Sequence, residues 1–314
     1  MIAPLLLVPL LALGSPAKPV DLRPLEKRLG ILCERLHGRM GYSLTLLNTG
    51  QQIDHRGDES FPSASTIKTT IAIEAIRQVD AGKLKWTDSK PVPPIADRKE
   101  WEASMMTYHL KEGTSLNLEG WVTLMITHSD NLATRVVREW VDPFAINRTL
   151  DSFGLPKTRQ LSSFPATATR ERKLNAQFGM GTTTPNEMNR LLQMIYHRQV
   201  ASKAGCERLL RIMGQQYWDD YIGTSAPIEV PVLNKSGAIS RSRSDTAIVL
   251  SPTQPYVLTI YTDNQKDQRW TGDNEGEKAL VQLAEIVWNT LHPNRPYKAP
   301  EGYRRFAPTG MGME

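Results

Sequence analysis

The chain predicts an α/β (α+β) fold: one antiparallel sheet, flanked by terminal helices and interrupted by an inserted all-helical domain. Two observations carry that prediction. A helix-spaced N-terminal stretch runs straight into a two-stranded hairpin, and three closely spaced strand-like segments followed by a helix close the C-terminal half. The periodic segments between them are helical, so the sheet has to be assembled from both ends of the chain. The expected boundaries are an α/β domain over 18–60 and 226–292 and a helical domain over 61–225.

Leu25, Leu29, Leu32 and Leu36 recur at helical spacing, which predicts a helix over 22–36. Tyr42 to Leu47 reads as a strand, Asn48-Thr49-Gly50 as a turn and Gln51 to His55 as the returning strand. From Ser65 to Ala81 the pattern is helical, with Gly82 as its stop. Pro91 to Pro94 is a loop. Helices follow over 118–127, 131–140 and 143–153, the first stopping at Ser129-Asp130-Asn131. Leu161 to Thr183 shows no clear period and is expected to be a long loop, of the kind that is functional or disordered in a compact domain. Pro185 opens a helix that runs to Tyr196, and another covers 203–215. Val230–Leu233, Asp245–Leu250 and Tyr256–Thr262 form an antiparallel meander, and Glu277 to Leu291 is a final amphipathic helix. The tail over 293–314, rich in Pro, Gly and charge, is expected to be disordered.

The 314 residues carry a formal charge of +5, with basic and acidic residues interleaved. That reads as a solvated mixed-charge surface rather than a nucleic-acid face. A mildly positive site suits a substrate that bears a carboxylate. Residues 1–17 hold a Leu-rich run to Leu13 and then Gly14, Ser15, Pro16 and Ala17. Such a run resembles the apolar core and cleavage zone of a secretory signal and is shorter than the roughly 20 residues that span a bilayer. The expected location is secreted or periplasmic, as a monomer. Cys33 and Cys206 either pair, as an exported protein allows, or stay as buried free thiols in their amphipathic helices. The six histidines are dispersed, so neither a metal nor a cofactor is expected.

Three short segments carry chemistry: Ser65-Thr66-Ile67-Lys68, Ser129-Asp130-Asn131 and Lys235-Ser236-Gly237. Each alone is weak; together, in order and well separated, they indicate an acyl-transfer site. A serine hydroxyl needs a nearby base to become a nucleophile, and Lys68 lies one turn beyond Ser65 on the same helix face. The helix start adds partial positive charge and offers the Ser65 N–H as an oxyanion donor. Lys68 must be neutral to act as base, which requires burial or nearby positive charge. On its own, this segment reads better as an N-cap serine with a solvated lysine, and the other two motifs reverse that preference.

Ser129 is placed to relay a proton to a leaving nitrogen and Asn131 to bond a substrate amide, with Asp130 turned inward to fix the turn. Simple capping between two helices is the competing, and compatible, use. Lys235 offers charge to a substrate carboxylate and helps depress Lys68; Ser236 offers a hydroxyl. Gly237 permits close backbone approach, and the Ala238 N–H is the second oxyanion donor. Arg243, on the next strand, is expected to grip the same carboxylate bidentately. Arg241 is a weaker candidate, and an ordinary surface arginine is the alternative for both. Trp101, Glu102 and Tyr108 are available to line the cleft entrance, to pack in the core or to lie on the surface.

The trio fits the S-x-x-K, S-D-N and K-[ST]-G pattern. On it the chain resembles the class A β-lactamases and the wider β-lactamase-like serine hydrolases over roughly 22–292. Glu171-Arg172-Lys173-Leu174-Asn175 resembles the E-x-x-L-N signature of that family's Ω loop, and Thr182-Thr183-Thr184-Pro185 resembles the T-T-P that opens its next helix. The resemblance implies a β-lactamase/D,D-peptidase-like fold, an active site between its two domains and an acyl-enzyme on Ser65. It implies as well that Glu171 activates the water that hydrolyses the acyl-enzyme, with Asn175 holding that water. The stretch over 175–182 is shorter than in typical class A enzymes. Thr169 and Gly181 stand where an Arg–Asp pair normally braces the loop, and Arg170 substitutes in part. Three functions stay open: a secreted serine β-lactamase, a D,D-peptidase or esterase acting on cell-wall peptides, and a sensor-like β-lactam-binding domain with poor turnover. The acylation base is either Lys68 or Glu171 acting through water. In each case the partner is a small molecule, a β-lactam or a D-Ala-D-Ala-like peptide.

Overall fold

A computed structural model describes residues 19–94 and 106–300. Helix α1 (Arg23–Arg35) leads into β1 (Arg39–Leu46) and β2 (Gln52–His55). Near the other end lie β8 (Val232–Ile239), β9 (Ser242–Val249), β10 (Tyr256–Asp263) and α9 (Glu275–Leu291). The five strands form one antiparallel sheet in the order β2-β1-β10-β9-β8. β1 pairs with β10 from Arg39↔Asp263 to Leu46↔Tyr256, which joins the chain ends as expected. The predicted fold class therefore holds, and β8 is an edge strand.

Between the two ends lie β3 (Phe61–Pro62), α2 (Lys68–Asp80), β4 (Ser89–Pro91), β5 (Ser115–Asn117), α3 (Leu118–Thr127), α4 (Asn131–Val141), α5 (Pro143–Ser152), β6 (Arg159–Gln160), α6 (Thr169–Phe178), β7 (Gly181–Thr183), α7 (Pro185–Tyr196) and α8 (Lys203–Met213). Every residue of α2 from Lys68 to Ile76 is buried, as befits a helix surrounded by others. Polar side chains set several helix starts. Asn117 accepts from Gly120 N, Asp130 from Ala133 N and Thr184 from Glu187 N.

The sheet separates two cores. One packs Leu25, Leu29, Leu280, Leu283 and Trp288 of the terminal helices against Tyr42, Leu44, Val249 and Leu258. The other packs Ile71, Ile76, Trp121, Met125 and Leu192 against Ile248, Val257 and Tyr261. Cys33 belongs to the first and Cys206 to the second, so they are free thiols rather than a disulfide. Burial pushes the Cys33 thiol up to about 12, which leaves it unreactive.

Two expectations are corrected. The stretch over 161–183 contains a helix, α6, and a strand, β7. Phe178 is the only buried residue of α6, so no apolar period announces it. The tail is docked through its first residues: Trp288 Nε1 donates to Arg295 O at 3.0 Å, and Asn289 exchanges hydrogen bonds with Tyr297 N and O at 2.7 and 2.9 Å. Trp101 and Glu102 lie outside the described residues, as does the side chain of Tyr108.

Candidate active site

Ser65 occupies a 3-10 turn, Ala64–Ile67, that runs directly into α2. Ala64, just before it, has φ +44°, a conformation that a residue with a Cβ holds only when its surroundings impose it. The imposing partner is β8. A Cβ added at Gly237 would stand 2.9 Å from the Ser65 amide nitrogen, 2.7 Å from Ser244 Oγ and 3.0 Å from the Ala64 Cβ. Only glycine lets the edge strand approach the serine turn this closely.

Lys68 is fully buried, and its Nζ lies 2.5 Å from Ser129 O, 2.8 Å from Asn131 Oδ1 and 3.1 Å from Ser129 Oγ. Ser129 adopts φ +54° in the sharp link between α3 and α4, which is what turns both its oxygens toward the lysine. Asp130 faces inward, as expected. It accepts from Ala133 N at 2.9 Å and from Thr107 N at 3.0 Å. Two of the oxygens around Nζ are carbonyls, which only accept, while the third belongs to a hydroxyl. Nζ donates to the two carbonyls, and Ser129 Oγ stands within hydrogen-bond distance as the third contact. Burial, reinforced by the nearby Lys235 charge, holds the Lys68 ammonium well below the usual lysine range.

Lys235 is also fully buried, with Nζ donating to Ser236 O at 2.8 Å. Burial brings it down to about 7, against the opposing pull of Asp245. Ser236 Oγ is 3.5 Å from Trp218 O, at the wall formed by residues 217–218. Trp218 Nε1 donates to His128 O at 3.0 Å, and Tyr217 stacks on His128 with centroids 5.4 Å apart. This aromatic wall beside Ser129 was not anticipated. Nor was Asp245, an acid buried in β9, which accepts from Ile222 N and Thr246 N at 2.9 Å each. Burial raises it to about 6. A charged residue in the run Ser-Asp-Thr-Ala-Ile-Val was the available signal.

The structure thus brings Ser65, Lys68, Ser129, Asn131, Lys235, Gly237 and the adjoining Ala238 to one cleft between α2, the α3–α4 link and β8. Two groups of expected site residues fall outside that network. Glu171 lies on α6, and among the described residues its carboxylate forms no hydrogen bond or ion pair. Asn175 Nδ2 donates to Gly179 O at 2.8 Å, closing the end of its own helix.

Arg243 is a correction. Gly237 pairs with Ser244 and Lys235 with Thr246, so these residues share the face that looks at Ser65. Arg243 is one residue out of phase, and the pleat sends its side chain to the opposite face. There it is fully buried. It donates through Nε to Glu277 at 2.8 Å and through Nη2 to Arg269 O at 2.7 Å, and it lies over the Trp270 ring. It ties α9 to the sheet and is unavailable to a substrate. Arg243→Met is expected to cost about 3 kcal/mol of stability, read by urea unfolding, and to leave the substrate KM of the folded enzyme unchanged. A raised KM at full stability would restore Arg243 to the site.

A serine at the start of a buried helix, a buried lysine one turn on and a second serine bonded to that lysine are the features of a serine hydrolase site. Residues 24–291 match the beta-lactamase enzyme family, and the chain belongs to it. It is 28% identical over 271 residues to beta-lactamase AER-1 of Aeromonas hydrophila, covering 82% of this chain and 83% of that one. With beta-lactamase PSE-4 of Pseudomonas aeruginosa it shares 25% identity over 292 residues, 90% and 95% of the two chains. Among solved structures it is similar to an ancestral class A β-lactamase, with a TM-score of 0.72 and 25% identity over 85% of this chain and 99% of that one. A mutant of PBP-A, solved as an acyl-enzyme complex with penicillin G, shares the fold with a TM-score of 0.74 at 22% identity, covering 87% and 97%.

Proposed function

We propose that this protein is an exported serine β-lactamase that opens the lactam amide through an acyl-enzyme on Ser65. The observation that carries the reading is the buried Lys68 amine, held by Ser129 and Asn131 and biased by burial toward its neutral form. Neutral Lys68 takes the Ser65 proton as the hydroxyl attacks the carbonyl. The oxyanion is received by the N–H groups of Ser65 and Ala238, which the close approach at Gly237 brings together. Ser129, already bonded to Lys68, returns the proton to the departing nitrogen. Lys235 holds the substrate carboxylate at the far end of the same wall, with Ser236 beside it. Export rests on the Leu-rich run and small residues over 1–17. The enzyme acts as a monomer.

In this reading Glu171 activates the water that deacylates Ser65. A second reading has a specific observation in its favour. Asn175 spends its amide on Gly179 O rather than on a neighbour of Glu171, which favours slow deacylation and the long-lived adduct of a penicillin-binding peptidase. Intact mass and product release, followed together with a chromogenic cephalosporin, separate the two. Many turnovers in the wild type, with a stable adduct only in Glu171→Gln, are expected. A persistent adduct in both proteins moves the chain to the peptidase reading, and no adduct in either removes Ser65 as the nucleophile.

A further inference from the structure

Helix α6 carries Glu171 and is packed lightly, with Glu171, Leu174 and Asn175 only half-buried. Phe178, at its last position, is its one buried residue. A cavity of about 520 Å³ opens at that end, bordered by Phe178, Gln177, Arg39, Arg241 and Asp263. A helix so lightly packed cannot hold a side chain to within an ångström by apolar contact alone. Among the described residues, Arg241 crosses the gap. Arg241 sits in the two-residue turn between β8 and β9, where Ile239↔Ser242 is the last pair. Its Nη2 donates to Gln177 O of α6 at 2.6 Å, and its Nη1 donates to Asn264 Oδ1 at 3.1 Å and to Asp263 Oδ1. The Asp263 side chain is 5% exposed and fixed at the end of β10. Three of the guanidinium's donors are thus divided between the sheet and the helix.

We infer that Arg241 is a positioning residue for deacylation: it clamps the C-terminal end of α6 to the sheet and so sets where Glu171 stands. The inference rests on the acyl-enzyme reading and on Glu171 as the deacylating base. It assigns Arg241 no contact with substrate, since its donors face Gln177, Asn264 and Asp263. Acylation is independent of the clamp. The β8–β9 register runs from Val232↔Val249 to Ile239↔Ser242 without help from the turn side chain, so Gly237 and Ala238 keep their places. Asp263 is not stranded when Arg241 is replaced, because Arg39 Nη2 lies 3.4 Å away.

The test is Arg241→Met, with Arg241→Lys and Glu171→Gln alongside. In an acyl-enzyme pathway kcat/KM reports acylation, and slowed deacylation lowers kcat and KM together. Arg241→Met is expected to slow deacylation about 10- to 100-fold with kcat/KM unchanged. Arg241→Lys, which keeps a charge for Asp263 but not the fork that spans to Gln177, is expected to recover only part of it. A merely structural defect would lower the active fraction, and with it kcat and kcat/KM equally at constant KM. That pattern, or unchanged deacylation, overturns the inference. If Glu171→Gln leaves deacylation unaltered, the Glu171 reading fails by itself, and a slowed Arg241→Met beside it overturns the clamp as well. Amide hydrogen exchange over residues 169–178 reads the clamp without any chemistry: faster exchange in Arg241→Met is expected, and unchanged exchange refutes it.

Discussion

Lys68→Met is expected to leave a folded protein whose Ser65 is acylated about a thousandfold more slowly. Methionine matches the lysine stem in length and suits the buried site, so the change removes the base without opening a large cavity. Ser129 O and Asn131 Oδ1 lose their donor, and Ser129 loses the group that hands it a proton. Rapid-mixing intact mass measures the rate at which the adduct appears. An acylation rate within about tenfold of wild type would fall short of what a general base contributes and would pass that role to Glu171 acting through water.

The same variant has a second consequence, in stability. Lys68 titrates lower in the folded chain than in the unfolded one. Above the unfolded value, near 10.5, both states are neutral and the lysine does not bear on folding. As pH falls below that, the unfolded chain takes up the proton first, and stability drops until the folded value is passed. Wild-type stability therefore gains about 1.4 kcal/mol per pH unit from this lysine across that window. Lys68→Met should remove that slope and be more stable near neutral pH. Urea unfolding at pH 7, 8 and 9 checks it, and parallel slopes in both proteins would contradict a neutral Lys68.

What was legible in the sequence follows from how each residue does its work. Ser65 and Lys68 act through local geometry, three positions apart at a helix start, and Asp130 acts as a cap, so a short string is enough to place them. The sheet was legible because two groups of strands with short turns leave few ways to pair. Arg243 was misplaced because the face of a strand residue depends on cross-strand register. The pairing Gly237↔Ser244 puts Arg243 on the α9 side, and nothing in its neighbours' identity reveals that. Helix α6 escaped notice for the opposite reason. Its formation owes little to an apolar face, since only Phe178 is buried, and periodicity reports nothing else. Asp245 went unremarked because its effect is exerted through burial and through Lys235, both of which exist only once the chain is folded.

The second large effect is on the pH profile and belongs to Lys235. A lysine that must carry charge to hold a carboxylate is here brought by burial to about 7. Asp245, raised to about 6, ionises first as pH increases and then supports the lysine's charge. In the free enzyme Lys235 loses its proton as pH rises through about 7, so kcat/KM for a carboxylate-bearing β-lactam should fall tenfold per unit beyond it. Lys68 imposes the opposite requirement, since it must be neutral, but its titration lies well below the usual lysine range and does not produce the alkaline limb. Lys235→Arg keeps a charge that does not titrate in this range and should flatten that limb, whatever it costs in absolute rate. Lys235→Ala should lower kcat/KM by about a hundredfold at pH 6.5, the loss expected when a charge-assisted bond worth about 3 kcal/mol is removed. Substrate esters, which lack the carboxylate, should show neither the limb nor most of that loss. A wild-type profile that stays flat to pH 9 would mean that Lys235 is held charged by something other than Asp245, or that it does not hold the carboxylate at all; the ester comparison distinguishes these, because only the first keeps a large difference between acid and ester.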